Sequence, residues 1–219
     1  MSERPPNGGR FNIGVLVSGS GTNLQAILDT VHGRDGIEVV AVASNRTGAK
    51  ALERARDTGV GAEAFELSSY PNRAARDTEM ASWLQSRGVE LVVLAGYMEL
   101  VEPAFLAGFP KRVINVHPSL LPAFPGPTPI EDQIAYGVKV GGVTVHFVDE
   151  GVDSGPVVLQ QAMQLPYTRD PEEILNLLHG IEHELLPRAI RLIAAGAVSF
   201  DADNSRYVHV DEQAMSARG

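Results

Sequence analysis

The sequence predicts an α/β domain with a mainly parallel central sheet flanked by helices. Short apolar runs alternate with segments of helical periodicity along most of the chain, which is the pattern of parallel strands joined by helical crossovers. A glycine-rich turn follows the first apolar run. At 219 residues, the chain is long enough for one large domain with a substantial core. We therefore expect a single domain over residues 11–200, with a disordered leader over 1–10 and a polar tail over 201–219.

The first 94 residues contain four predicted strands and three predicted helices. The first helix places apolar side chains at i, i+3, i+4 and i+7, namely Leu24, Ile27, Leu28 and Val31. The predicted strands are Phe11–Val17, Ile37–Ala43, the weaker Ala62–Leu67, and Val89–Leu94. The other two helices are predicted over Ala49–Asp57 and Asn72–Arg87. Gly59 and Gly88 follow them in the position where glycine commonly ends a helix.

The second part of the chain contains three predicted strands and a long helix. The strands are Val113–Val116, Val143–Val148 and Val157–Gln161. The helix begins with an N-cap at Asp170 and a proline at position N1, followed by two acidic residues in the first turn. Pro187 lacks a backbone donor, so we expect it to kink or split this helix.

Composition excludes several classes of protein. The net charge is −9 and no long basic run occurs, which argues against nucleic-acid binding. The chain has no cysteine, which excludes disulfides and thiolate metal sites and fits a reducing compartment. No apolar run approaches the ~20 residues of a membrane span, and the first ten residues lack the apolar core of a signal peptide. We expect a cytoplasmic protein, a monomer or a homodimer, without a metal ion.

Two polar side chains at the end of an apolar strand are the strongest candidates for catalysis. Asn115 and His117 lie two residues apart, so they share one face of an extended segment. Pro118 disfavours helical geometry at His117 and indicates a strand-to-loop junction. An amide donor beside an imidazole suits acyl transfer, since one group stabilises the oxyanion and the other moves protons. The alternative is that both residues merely finish a strand.

The glycine-rich turn is a candidate phosphate site. Gly19 and Gly21 permit close approach to the backbone, and a helix that begins near Thr22 directs free N–H groups to the same place. A dinucleotide motif would require glycine where Leu24 stands and an acidic residue within Ser44-Asn45-Arg46. The turn therefore indicates a phosphate monoester, unless it is only a tight connection without a ligand.

Five stretches of sequence together carry a family resemblance. They are SGSGTNLQAI, SNRTGAKALERA, VVLAGYMELV, INVHPSLLP and GGVTVHFVDEGVDSGPVVLQQ. The chain resembles, from about residue 11 to 200, the glycinamide ribonucleotide formyltransferases, which are folate-dependent enzymes of purine synthesis. The resemblance implies a single Rossmann-like formyltransferase domain. It also implies transfer of a formyl group from 10-formyltetrahydrofolate, a co-substrate, to the amine of 5′-phosphoribosylglycinamide.

The resemblance also implies a role for particular residues. The catalytic trio would be Asn115, His117 and Asp153. The ribonucleotide would be held at its 5′-phosphate by Gly21, Thr22 and Asn23, and at its ribose and glycinamide by His179 and Glu182. The folate would be held by Arg73, Met98, Glu99, Leu100, Val101, Asp149, Glu150, Gly151 and Val152.

The sequence departs from the family pattern at two positions. Thr128 stands where a histidine is usual in this branch, and Glu99 stands where an arginine is usual in the folate segment. An acid that faced an anionic folate tail would be repelled, so we expect Glu99 to point to solvent while the segment binds the pterin through its backbone. Glu99→Arg should then change KM for the folate less than about threefold.

Three alternative functions remain open on the sequence alone. A formyltetrahydrofolate hydrolase would use the same trio on water, but would be expected to carry an N-terminal regulatory domain. A formyltransferase acting on methionyl-tRNA or a sugar nucleotide would share the trio, and the tRNA enzyme would be expected to have a basic surface. A catalytically silent nucleotide-binding module is disfavoured by the joint presence of Asn115, His117 and Asp153. His146 and His183 are both expected to be structural.

Overall fold

The computed structural model describes residues 9–211. The chain divides into two compact units, Met1–Ile114 and Asn115–Gly219. The predicted leader lies outside the described residues except for Gly9 and Arg10, and residues 212–219 of the predicted tail also lie outside them.

The first unit is built on parallel strands. Its elements are β1 (Phe11–Val17), α1 (Thr22–Thr30), β2 (Ile37–Ser44), α2 (Lys50–Asp57), β3 (Gly61–Ala64), α3 (Arg73–Ser86), β4 (Leu91–Leu94), α4 (Pro103–Gly108) and the start of β5 (Val113–His117). The strand order is β3-β2-β1-β4-β5. β1 pairs with β2 and β4, and β2 pairs with β3, all in parallel. The predicted α/β class with a mainly parallel sheet is confirmed.

The core of this unit comes from the strands that the sequence marked as apolar runs. Every residue of β1 from Ile13 to Val17 is buried, and so is every residue of β4. A Cβ atom added to Gly14 would lie 2.9 Å from Leu84 Cδ2, so α3 packs closely over β1. α3 begins where predicted, because the side chain of Asn72 accepts a hydrogen bond from the backbone N–H of Ala75 at 2.8 Å.

Gly21 is required by packing as well as by backbone conformation. It is the N-cap of α1 and has φ 73°, in the left-handed region that side chains disfavour. A Cβ atom there would lie 2.6 Å from the Cβ atom of Ala51 on α2. Gly19 differs, because nothing lies within 4 Å of its virtual Cβ atom. One glycine of the turn therefore serves helix packing, and the other leaves open space above the backbone.

The second unit contains the end of β5 and a smaller number of elements. They are α5 (Pro129–Tyr136), β6 (Val140–Phe147), β7 (Val157–Gln164), α6 (Pro171–Ala194), β8 (Val198–Phe200) and β9 (Val208–Val210). The strand order is β5-β6-β7, and β6 and β7 are antiparallel. β8 and β9 form a separate antiparallel pair, so the predicted polar tail contains a strand within its described residues.

α6 begins as predicted but does not split. The carboxylate of Asp170 accepts a hydrogen bond from the backbone N–H of Glu172 at 3.0 Å, and Pro171 occupies the first turn. The helix continues through the buried Pro187 because the residues around it, Leu185, Leu186, Ala189 and Ile190, are themselves buried and hold both halves in place. No helix within residues 9–211 has the length and apolar character needed to cross a membrane.

The sequence reading missed α4, α5, β8 and β9. Two of these are helices of six and eight residues that begin with proline at N1 or N2, and such short segments show little periodicity. The other two are strands of three residues each. The predicted strand Ala62–Leu67 ends at Ala64, and a turn of 3₁₀ helix covers Leu67–Ser69. The missed elements are too short to carry a pattern of their own.

Gly21→Ala should destabilise the protein, whereas Gly19→Ala should not. The added methyl group at Gly21 meets Ala51 and a left-handed backbone, and each of these effects costs roughly 1–3 kcal/mol. Gly19→Ala is the matched control, since it adds the same methyl group into open space. Thermal denaturation of the two variants should show a marked fall in Tm for Gly21→Ala alone. Equal Tm values would show that α2 can move away from Gly21 without cost.

Candidate active site

Asn115, His117 and Asp153 come together in the second unit, as the resemblance implies. Asn115 and His117 lie at the end of β5, and their side chains alternate with Val116. Asp153 lies in the loop between β6 and β7 and has φ 47°, a left-handed conformation that aspartate and asparagine adopt more readily than most residues. The end of β5 and the loop between β6 and β7 therefore place these three side chains in one cluster.

The carboxylate of Asp153 contacts both other members of the trio. Its Oδ1 atom accepts a hydrogen bond from Asn115 Nδ2 at 3.4 Å, and its Oδ2 atom lies 3.5 Å from His117 Nδ1. Oδ2 also accepts a hydrogen bond from the backbone N–H of Gly126 at 2.8 Å. Asp153 therefore links β5 to the loop that leads into α5. It fixes the side chains of Asn115 and His117 and the backbone at Gly126.

His146 is a fourth member of this cluster that the sequence reading placed among structural residues. Its Nε2 atom lies 3.6 Å from Asp153 Oδ1 and 3.4 Å from Asn115 Nδ2. Its Nδ1 atom lies 2.8 Å from the carbonyl oxygen of Phe147, to which only an N–H can be directed. In the neutral ring, Nε2 then accepts from the Asn115 amide. Asp153 is thus flanked by two histidines, and the period-2 pattern of β6 gave no sign of this.

The environment of His117 combines burial with two acceptors. Its side chain is 6% exposed, and burial is the largest influence, lowering the pKa of its imidazole. The carbonyl of Phe124, 2.8 Å from Nε2, and the nearby Asp153 carboxylate both raise that pKa but offset the burial only in part. The sequence reading considered only the carboxylate, which favours the imidazolium. Burial reverses that balance and favours a neutral ring.

Asp153 remains a carboxylate despite being largely enclosed. Burial acts to raise the pKa of its carboxyl group, but its contact with His146 Nε2, the hydrogen bond from the backbone N–H of Gly126 and the charge influence of the two histidines lower it below the ordinary value. The group is therefore ionised at neutral pH. An ionised acid beside a neutral imidazole is an arrangement that can accept and pass on a proton.

The loop Asp149–Val152, implied to cover the folate, is a compact turn next to Asp153. The carboxylate of Asp149 accepts hydrogen bonds from the backbone N–H of Gly151 at 3.1 Å and from Ser154 Oγ at 2.6 Å. A Cβ atom on Gly151 would clash with Ser154 Oγ, so a side chain there would require Ser154 to move from its hydrogen bond with Asp149. Val152 is 48% exposed, which leaves an apolar side chain available at the surface.

The residues implied for the phosphate lie at the start of α1 in the first unit. The first intrahelical hydrogen bond runs from Gln25 N to Gly21 O, so the preceding N–H groups point out of the helix N-terminus. The N-cap residue, Gly21, has no side chain that could cap them. A cleft of about 630 Å³ runs beside this turn and is lined by Ser18, Gly19, Ser20, Arg46, Gly48, Ala49, Lys50 and Glu66. Arg46 and Lys50 outnumber Glu66, the acid among these lining residues, so the charge beside the turn is positive on balance.

The segment Met98–Val101 corrects one prediction. Glu99 does not point to solvent: its Oε2 atom lies 2.6 Å from Arg76 Nη1, and its Oε1 atom accepts a hydrogen bond from Asn45 Nδ2 at 2.8 Å. Burial acts to raise the pKa of Glu99, but these hydrogen bonds and the charge of Arg76 lower it. The outward prediction was wrong because the sequence reading did not recognise a buried arginine on α3. Glu99→Arg would bring two guanidinium groups together, so the small effect predicted for it no longer follows.

Arg73 occupies the first position of α3, close to the same segment. Burial raises the pKa of Tyr97, and the positive charge of Arg73 opposes part of that rise; the same charge contributes to the lowered pKa of Glu99. Arg73 is only partly buried, whereas Arg76 in the next turn is completely buried. Both cations of α3 therefore face the segment implied for the folate, and the sequence reading found only the first.

His179 and Glu182 lie near each other on α6, as their spacing requires. His179 Nε2 is 3.9 Å from Glu182 Oε2, and the ring of His179 stacks on that of His183 with centroids 5.9 Å apart. Glu182 is buried at 4% exposure and is therefore not a solvated helix edge. Burial lowers the pKa of His179 and of His183. Within residues 9–211, no cluster of three or more such side chains could hold a metal ion.

Thr128, the second departure from the family pattern, stands at the N-cap of α5 without capping it. Its hydroxyl donates to Asp132 Oδ2 at 3.2 Å, and the side chain is exposed. Gly126, two residues earlier, carries the N–H that Asp153 accepts. The backbone of this loop thus serves the trio, while the side chain of Thr128 faces α5.

Comparison with known proteins gives one consistent family. Residues 11–190 match the family model described as formyl transferase. The phosphoribosylglycinamide formyltransferase of Bacillus subtilis is 38% identical over 178 residues, which are 81% of this chain and 91% of that protein. A crystal structure of glycinamide ribonucleotide transformylase 1 from Symbiobacterium toebii superposes with a TM-score of 0.88 at 47% identity, covering 93% of this chain and 95% of that one.

The match also extends to part of a much longer protein. The trifunctional purine biosynthetic protein adenosine-3 of Drosophila pseudoobscura pseudoobscura is 38% identical over 192 residues. This chain spans only 14% of that protein, although 86% of the chain is aligned. The similarity therefore concerns one portion of the trifunctional protein.

The pKa of the His117 imidazole should lie below its ordinary value of 6.5 in the folded protein. The lowering by burial is larger than the raising by Phe124 and Asp153. Asp153→Asn should lower the pKa of His117 further, since it removes the carboxylate that favours the imidazolium. NMR titration of the imidazole, assigned with a His117→Gln variant, measures both values. A pKa above 6.5 in the unmodified protein, or a rise on Asp153→Asn, would contradict this account.

Proposed function

The chain belongs to the formyl transferase family, in the branch of the phosphoribosylglycinamide formyltransferases, and we propose that it transfers the formyl group of 10-formyltetrahydrofolate to the amine of 5′-phosphoribosylglycinamide. The observation that carries the proposal is the cluster of Asn115, His117 and Asp153 in the second unit. Those three side chains supply what acyl transfer to an amine needs, which is an oxyanion donor and a route for protons. No covalent enzyme intermediate and no metal ion is required.

Asn115 stabilises the charge that develops on the formyl oxygen. Its Nδ2 group is oriented by Asp153 Oδ1 and His146 Nε2, both at 3.4 Å, so the amide is held without using its oxygen. A fixed amide N–H directed at a developing oxyanion is worth about 3–4 kcal/mol of transition-state stabilisation. Both contacts are long, so one of them can be exchanged for a hydrogen bond to the formyl oxygen while the other keeps the amide in place.

His117 moves the protons of the reaction. The attacking amine must be uncharged, and it loses a proton as the new C–N bond forms. A neutral imidazole, favoured here by burial, accepts that proton and returns it to the folate nitrogen, directly or through water. Asp153 beside Nδ1 then stabilises the imidazolium that exists between the two transfers. Assistance of this kind typically contributes ~10²–10⁴-fold.

The ribonucleotide is proposed to bind through its phosphate at Gly21, Thr22 and Asn23. The N-terminus of α1 supports this, because its N-cap is a glycine and the positive end of the helix dipole favours a phosphate. Glu182 and His179 are proposed for the ribose and glycinamide part. The buried position of Glu182 supports this role. An enclosed carboxylate can accept hydrogen bonds from the hydroxyl groups of a sugar or from an amine.

In the first unit, Met98–Val101 and Arg73 are proposed to contact the folate. For Asp149–Val152, in the second unit, a contact with the folate is a separate proposal. Exposed apolar side chains in both loops, namely Met98, Leu100 and Val152, support contact with an aromatic ring system. A cytoplasmic location forms part of the same proposal, supported by the absence of cysteine, which fits a reducing compartment.

One assay tests the proposed function. Purified protein is incubated with 10-formyltetrahydrofolate and, separately, with 5′-phosphoribosylglycinamide, a sugar-nucleotide amine, methionyl-tRNA or no acceptor, and release of tetrahydrofolate is followed. Release that depends on phosphoribosylglycinamide supports the proposal. Release without any acceptor would indicate a hydrolase, and release with another amine would replace the substrate.

Asn115→Ala, His117→Ala and Asp153→Asn should each lower kcat by about two orders of magnitude or more, without loss of fold. The double variants should fall little further, because the three groups act as one unit. Asparagine tolerates the left-handed backbone of Asp153, so Asp153→Asn tests charge and not strain. His209→Ala, which removes an exposed histidine of β9, is the matched control. Near-normal turnover by folded Asp153→Asn would remove Asp153 from the mechanism.

A further inference from the structure

The side chains of Met98–Val101 alternate between the surface and the interior. Met98 is 73% exposed and Leu100 is 58% exposed, while Glu99 between them turns inward. The segment lies between β4 and α4 and has no regular secondary structure of its own. Something other than a hydrogen-bonded ladder must therefore hold this alternation, because a segment without internal hydrogen bonds has many accessible conformations.

The inward side chain of Glu99 meets a completely buried arginine. Arg76, on α3, has no exposed surface, and its Nη1 atom lies 2.6 Å from Glu99 Oε2. Its Nε atom also donates to Asp77 Oδ1 at 2.8 Å, and Asp77 is itself fully buried. A guanidinium removed from water requires a charged partner, and Arg76 has two, Asp77 and Glu99. Glu99 is consequently held by a strong requirement of α3.

Four contacts within the first unit anchor the segment along its length. The backbone N–H of Met98 donates to Ser18 Oγ at 2.9 Å. Glu99 is bonded on one oxygen to Asn45 and on the other to Arg76. The backbone N–H of Glu102 donates to Asp77 Oδ2 at 2.8 Å. Arg76 contacts both Asp77 and Glu99, and these contacts thus connect the middle of the segment to Glu102, the residue that follows it.

The anchored segment leaves its central backbone free for a ligand. Within residues 9–211, the backbone N–H and C=O groups of Leu100 and Val101 have no hydrogen-bond partner, and they lie beside the exposed side chains of Met98 and Leu100. Polar backbone groups next to apolar surface suit a flat heteroaromatic ring with donors and acceptors on its edge. These backbone groups can bind a ligand only if the segment keeps this conformation.

We propose that Arg76 is a positioning residue for the formyl donor, because it holds Glu99 inward and thereby presents Met98, Leu100 and the free backbone groups to the folate. The inference rests on the proposed function, in which this segment binds 10-formyltetrahydrofolate. Arg76 does not touch the ligand; it acts through Glu99 and, by way of Asp77, through the backbone of Glu102. Its effect should appear in folate binding and not in the chemical step.

Arg76→Met should raise KM for 10-formyltetrahydrofolate about tenfold or more, while KM for the ribonucleotide and kcat change less than about threefold. Arg76→Lys should fall between Arg76→Met and the unmodified protein, because an ammonium group can satisfy Glu99 but lacks the planar geometry that reaches both acids. Glu99→Ala should give the same split as Arg76→Met. The double variant should be no worse than either single variant, because both act through one contact.

Leu84→Ala is the matched control, since it removes a buried side chain from α3 two turns beyond Arg76 and away from the segment. It should lower Tm without changing the KM for folate. If Arg76→Met fails to fold, Glu99→Ala still decides the matter, because Glu99 is partly exposed and its loss leaves Arg76 paired with Asp77. A folate KM within twofold of normal in Glu99→Ala, or equal changes in both KM values and kcat, would overturn the inference.

The same measurements separate this inference from the proposed function. If the unmodified protein transfers no formyl group to phosphoribosylglycinamide, the proposed function fails and the inference falls with it. If the unmodified protein is active and the variants show no preferential loss of folate binding, only the inference fails.

Discussion

The half-buried carboxylate of Asp153 provides the contacts on which the catalytic cluster depends. It meets an amide, two imidazoles and a backbone N–H, and its own backbone is held in a left-handed turn after β6. Burial raises the pKa of this carboxyl group, but its contacts with His146 and Gly126 and the charge influence of both histidines lower it below the ordinary value, which favours the ionised form. The position of Asn115, the orientation of His117 and the path of the chain at Gly126 all follow from this one charge.

The first unit uses a buried charge in a comparable way but with the opposite sign. Arg76, on α3, has no exposed surface and pairs with both Asp77 and Glu99, and its contact with Glu99 orders a segment that has no regular secondary structure. Buried ion pairs add little to stability, because desolvation offsets most of their attraction. What they do supply is a single arrangement of the groups that they connect. In both units, these charges serve mainly to fix the arrangement of neighbouring groups and add little to the free energy of folding.

The glycine-rich turn shows that one motif can serve two requirements. Gly21 carries a left-handed backbone and allows α1 and α2 to approach each other, whereas Gly19 leaves open space over the backbone beside a cleft with two cations. The sequence reading attributed both glycines to ligand approach. The structure assigns Gly21 to packing, because a side chain there would clash with Ala51 on α2.

The sequence by itself determined the α/β class, the order of the long elements and the pairing of Asn115 with His117, because these depend on periodicity within a few residues along the chain. The family motifs added Asp153, which lies 36 positions from His117 and has no local pattern that marks it. Only the tertiary structure decided the inward turn of Glu99, the membership of His146 in the catalytic cluster and the neutral state favoured for His117. Each of these depends on burial and on a partner remote in sequence, such as Arg76 for Glu99 and Asp153 for His146. The physical reason is that propensity and periodicity act between neighbours, whereas desolvation and charge pairing arise only when distant parts of the chain enclose the same few atoms.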